Sequence, residues 1–134
     1  MSFDAVIDNS ALVELLAGRD PDQTLVRRLL TSSMAAPEIL DAEALRVLRR
    51  MARRGEIPEA EATRHLEHIA TAPVVRVSVR VLMRRAWAMR HAVSAYDALY
   101  VALAEELDVP LITCDKNLAG SNGHKARIEV YPVS

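Results

Sequence analysis

The chain has one cysteine in 134 residues, Cys114, so it closes no disulfide on itself and builds no multi-thiolate metal site. Its four glycines, Gly18, Gly55, Gly120 and Gly123, form no phosphate-cradling loop, which excludes dinucleotide and P-loop chemistry. Aromatic residues are 4 % of the chain, leaving Leu, Val, Ala, Ile and Met to fill the core. Lysine is scarce, 2 against 15 Arg, and Arg favours bidentate contact with phosphate or carboxylate. The net charge of −1 gives no bulk attraction for polyanions. No apolar run approaches the roughly 20 residues that cross a bilayer. The first ten residues, MSFDAVIDNS, lack the basic and apolar regions of a signal peptide, so the expected location is the cytoplasm, away from membranes.

What is present fits one globular domain over residues 1–134, with 51 % apolar and 26 % charged residues. Ala5-Val6-Ile7 reads as a buried first strand ending at Asp8, with Asn9-Ser10 capping a helix from Ala11 to Ala17 that Gly18 closes. Asp20-Pro21 opens a helix to about Leu30. Residues 32–36 are a weak strand, and Pro37 opens a long helix to Gly55 with Leu40, Ala44, Val47 and Met51 on its apolar stripe. A charged helix follows Pro58, and residues 73–77 form a strand. Ser78 caps a helix to Arg90 with Val81, Leu82, Ala86 and Met89 inward and Trp87 at the rim or an interface. A helix from Ser94 stops near Asp108-Val109-Pro110, and Leu111-Ile112-Thr113 is a strand. Residues 127–131 alternate like an edge strand. Short buried strands between amphipathic helices predict an α/β protein with a parallel sheet covered on both faces.

Open parallel sheets bind ligands beyond the carboxyl ends of their strands. Asp8 and Asp115 each follow a strand closely, Asp97 lies in the first turn of a helix, and Glu43 lies early in the helix after the second strand. Each has a purely structural alternative: Asp8, Asp97 and Asp115 suit helix caps, and Glu43 can pair with Arg46 or Arg50. Four carboxylates at expected element ends are harder to assign to chance. Together they would repel unless a hard divalent cation joined them, and such a cation suits phosphodiester hydrolysis.

Four stretches carry a resemblance: residues 6–12 (VIDNSAL), 42–50 (AEALRVLRR), 94–104 (SAYDALYVALA) and 111–115 (LITCD). Over essentially the whole chain they resemble PIN-domain proteins of the VapC type, toxins of bacterial type II toxin–antitoxin pairs. The resemblance implies a three-layer α/β/α sandwich with a mostly parallel sheet of about five strands. It implies a Mg²⁺- or Mn²⁺-dependent endoribonuclease whose acidic quartet is Asp8, Glu43, Asp97 and Asp115, supported by Ser10 and Thr113. It also implies an RNA substrate, a homodimer and a cognate antitoxin whose C-terminal segment lies along the toxin. Asn9 stands where the family often has Thr, Ala or Ser.

Arg46, Arg50 and Arg54 recur each helical turn near the face of Glu43, as an RNA backbone track would; a solvated basic face is the alternative. His65 and His68, near Glu61 and Glu67, read as a solvated face rather than a metal site, and Cys114 as a buried small residue. A binding module that captures a basic partner segment is the competing class, though it needs no complete quartet. A receiver domain needs two adjacent acids after the first strand, and Asp8-Asn9 does not supply them.

Overall fold

A computed structural model describes residues 2–134. Five strands form one sheet: β1 (Ala5–Ile7), β2 (Met34–Pro37), β3 (Val74–Val77), β4 (Leu111–Thr113) and β5 (Ile128–Val130). Seven helices accompany them: α1 (Asn9–Ala17), α2 (Gln23–Leu30), α3 (Ile39–Arg53), α4 (Glu59–Ala70), α5 (Met83–Ala88), α6 (Ala95–Leu107) and α7 (Lys116–Ala119). The strand order is β3-β2-β1-β4-β5, and every pairing is parallel. The fold is thus the expected α/β sandwich, its sheet wholly rather than mostly parallel. All side chains of β1 and β2 are buried, because helices cover both faces of the inner strands. No described helix is long and apolar enough to cross a membrane.

The order of the strands places the site. From β1 the chain winds outward through β2 to β3, then returns to the other side of β1 as β4. The switch point lies between β1 and β4, where crossover helices part and leave a crevice at the strands' carboxyl ends. Val6 pairs with Leu111 and Ile7 with Ile112, so the next residues, Asp8 and Thr113, emerge side by side.

Several local expectations are corrected. Asp8, not Asn9 or Ser10, is the N-cap of α1. Asp22 caps α2 through the Leu25 amide, so Pro21 stays outside the helix. Pro37 ends β2 opposite Val77 instead of opening α3; the ladder continues at the next residue, where the Glu38 amide donates to Val77. The helix expected after Ser78 is split into a 3-10 turn, Val79–Leu82, and the short α5. The tighter turn breaks the 100° phase, so Val81 is 73 % exposed rather than inward, while Leu82 and Met89 are buried. Leu48, outside the stripe drawn for α3, is buried with Leu40 and Ala44. The loop after β4 contains α7, which carries the crossover that lets β5 run parallel.

Candidate active site

Asp8 continues the extended backbone of β1 before α1 begins, with φ −92° and ψ 171°. Its side chain turns back to accept the Ala11 amide at 3.0 Å, an N-cap hydrogen bond. Two hydroxyls complete its surroundings. Ser10 Oγ donates to Asp8 Oδ1 at 2.7 Å, and Thr113 Oγ1 donates to Oδ2. A hydroxyl has one proton, so both are committed to Asp8 and the 3.2 Å approach of Ser10 to Thr113 adds no bond of its own. Their lone pairs accept amides beyond β4: Cys114 N donates to Ser10 Oγ and Asp115 N to Thr113 Oγ1, both at 2.9 Å. One closed network therefore ties the ends of β1 and β4 together and aims Asp8. At 6 % exposure the carboxylate is desolvated, which pushes its pKa up to about 6; the bonds from Thr113, Ser10 and Ala11 oppose the rise, and Asp97 adds to it.

The other three acids gather around Asp97. Ser94 caps α6 by accepting the Asp97 amide at 3.4 Å, which holds Asp97 in the first turn. Burial raises the Asp97 pKa, the Ser94 hydroxyl opposes the rise, and Asp115 adds to it. Glu43, on the second turn of α3, is half-buried, and burial raises its pKa. The Tyr100 phenol and the Arg46 charge oppose that rise, while Asp97 adds to it. Asp115 caps α7 through the Asn117 amide at 2.9 Å. The structure thus brings all four predicted acids into one electrostatic neighbourhood; Asp8 and Asp115 are positioned by capping helices themselves, and Asp97 by the Ser94 cap. Among the described residues, no three His, Cys, Asp or Glu groups converge closely enough to hold an ion unaided. Asp8, Asp97 and Asp115 form no ion pair with a described Lys or Arg.

One site residue escaped the sequence reading of roles. Tyr100, 2 % exposed, donates its phenol proton to Glu43 Oε1 at 2.6 Å. Burial, and then the acceptor Glu43, raise its pKa far above the usual phenol value, so it stays a donor. The available signal was spacing. Tyr100 follows Asp97 by three residues, on the same helical face, and is the one polar side chain in the buried run 98–104.

Arg50 and Arg54 line a hollow of about 340 Å³ on α3, joined by Arg49 and Arg53, while Arg46 stands near enough to Glu43 to lower its pKa. Arg54 approaches Glu56 at 4.0 Å, and the other four form no ion pair among the described residues. His65 turns inward and contacts Glu61 at 3.3 Å, whereas His68 is exposed, so they do not form a metal site. Cys114 is buried, and burial pushes its thiol up to about 12, which removes it as a nucleophile. Trp87, 68 % exposed, borders an apolar hollow with Val79, Met83, Val93, Tyr96 and Leu99.

The model of the PIN domain family matches residues 5–120. Ribonuclease VapC1 of Mycobacterium tuberculosis is 41 % identical over 130 residues, which cover 95 % of this chain and 97 % of that protein. The crystal structure of PAE2754 from Pyrobaculum aerophilum superposes with a TM-score of 0.68 at 25 % identity, covering 95 % of this chain and 83 % of that one. A toxin–antitoxin complex from Klebsiella pneumoniae shares the fold, with a TM-score of 0.65 at 20 % identity over 96 % of this chain and 98 % of that one. With the acids at the β1–β4 switch point and the match running through nearly its whole length, the chain belongs to the PIN-domain family, in the VapC ribonuclease branch of toxin–antitoxin toxins.

Proposed function

We propose that this chain is a divalent-metal-dependent endoribonuclease and the toxin of a toxin–antitoxin pair, with Asp8, Glu43, Asp97 and Asp115 as its site. The observation that carries this is Asp8: a carboxylate at 6 % exposure, aimed by two hydroxyls, beside another carboxylate and with no cationic partner among the described residues. An arrangement of this kind is unfavourable for a resting protein and suited to a cation. The donors are all carboxylate oxygens, which fits Mg²⁺ or Mn²⁺ and not a thiolate- or imidazole-seeking metal. Mg²⁺ commonly uses one or two carboxylates and completes its shell with water and substrate phosphate, so a preformed three-carboxylate cage is not required.

Asp8, Asp97 and Asp115 would hold the metal, directly or through water, with Glu43 completing the pocket. When bound, the ion supplies positive charge for the phosphodiester oxygens and a water of lowered pKa. Ser10 and Thr113 keep the Asp8 carboxylate from rotating. Glu43 uses Oε1 toward Tyr100, which leaves Oε2 for the metal, directly or through its bound water. The arginine-lined hollow of α3 supports a lead for the RNA backbone toward this pocket. The same reading includes a cognate antitoxin, supported by the Klebsiella relative's being a toxin–antitoxin complex, and a homodimer, supported by the exposed apolar surface around Trp87.

The test is cleavage of RNA with Mg²⁺ or Mn²⁺ and with EDTA, for the wild type and Asp97→Asn. Cleavage should stop in EDTA and fall about 100-fold or more in the variant. Cleavage indifferent to both changes would remove the proposal and point to a contaminant.

A further inference from the structure

Among the described residues the Tyr100 phenol has one hydrogen-bond partner, Glu43 Oε1 at 2.6 Å, across the gap between α6 and α3. Around it α6 buries Ala98, Leu99, Val101, Ala102, Leu103 and Ala104, a wall that a phenylalanine ring would complete equally well. The oxygen therefore has no packing task. It adds a short, charge-assisted bond to a carboxylate that forms no ion pair among the described residues and feels the charge of a second carboxylate, Asp97. Asp8 is aimed by Ser10 and Thr113, whereas Glu43 has no hydroxyl from its own helix and no cap. Its one tether comes from the element that also carries Asp97, three residues before Tyr100.

We infer that Tyr100 is a positioning residue of this site: its phenol O–H fixes Glu43 against repulsion from Asp97, so that α6 sets the separation of the two acids. The inference rests on the proposed metal site and names the residue that holds it in register. Tyr100 touches neither substrate nor reacting atoms; it acts through Glu43.

The test uses the full chain and Mn²⁺ as the probe, with free Mn²⁺ read by electron paramagnetic resonance and single-turnover cleavage of one defined RNA read alongside. Tyr100→Phe should fold and melt cooperatively, bind Mn²⁺ about 10- to 100-fold more weakly, and lose a similar factor in cleavage rate with the RNA half-saturation unchanged, as expected for an outer partner of a ligand. In a Glu43→Gln background the same substitution should leave Mn²⁺ affinity unchanged, because the two effects are not additive when one residue works through the other. An equal loss of affinity in both backgrounds would overturn the inference. So would unchanged Mn²⁺ affinity in Tyr100→Phe, or a variant that no longer folds, which would give the hydroxyl to the fold. If instead Asp97→Asn kept wild-type Mn²⁺ affinity, the metal-site reading itself would fail.

Discussion

Asp8→Asn should stabilise the metal-free protein near neutral pH while removing its activity. The wild-type carboxyl titrates at about 6 when folded and at 3.8 in the unfolded reference. The folded state therefore binds the proton more tightly, and acidification favours it. Stability attributable to Asp8 is greatest below the unfolded value, falls as pH rises from about 4 to 6, and stays low above that. A shift of about two units corresponds to roughly 3 kcal/mol of penalty at pH 7.5. Asparagine carries no charge, caps a helix about as well as aspartate, and keeps an oxygen for Ser10 and Ala11. Its amide group can donate to Thr113, whose own proton can then turn toward Ser10, 3.2 Å away. Part of the gain is lost in that rearrangement, leaving about 1–3 kcal/mol, or on the order of 3–10 °C in Tm for a domain of this size. Melts of both proteins in EDTA at pH 7.5 and pH 4.5 measure it. The difference should shrink sharply at the lower pH, where wild-type Asp8 is already protonated, and Mg²⁺ at pH 7.5 should raise the wild type alone. A variant about 2 kcal/mol less stable at both pH values would refute the reasoning, because Asp8 would then be an ordinary stabilising cap.

Two further outcomes follow from the same network and from the basic helix. Thr113→Val removes a donor to Asp8 and the acceptor of the Asp115 amide in a fully buried position; urea melts should show a loss of about 2–3 kcal/mol, with cleavage reduced about tenfold or more. Arg50→Glu should weaken RNA binding in the Asp97→Asn background and lower the slope of log affinity against log salt by about 0.7 or more; an unchanged slope would leave the arginine hollow as solvated surface.

The strands and the acids were readable because their signals are local. Ala5-Val6-Ile7 and Leu111-Ile112-Thr113 are short apolar runs, and carboxylates close behind them lie near the carboxyl ends of strands whatever the order of the sheet. The capping geometry at Ser94 and Asp97 depends on three residues and could be read directly. The errors are local signals overruled by neighbours. Pro37 looked like a helix start, but β3 runs beside it, and the Val77 carbonyl accepts the next amide, that of Glu38. Val81 looked inward because a uniform helix was assumed through what is a 3-10 turn.

By itself the sequence determined that four carboxylates stand at element ends in an α/β chain, since the apolar periodicity and the caps that place them span only a few residues each. Tertiary structure alone decided how those acids are held. Ser10 and Thr113, 103 residues apart, meet at Asp8 only because β4 returns beside β1, and Tyr100 reaches Glu43, 57 residues away, only because the fold sets α6 across from α3. The order of strands is a global choice among packings, and no local pattern encodes which hydroxyl will face which carboxylate.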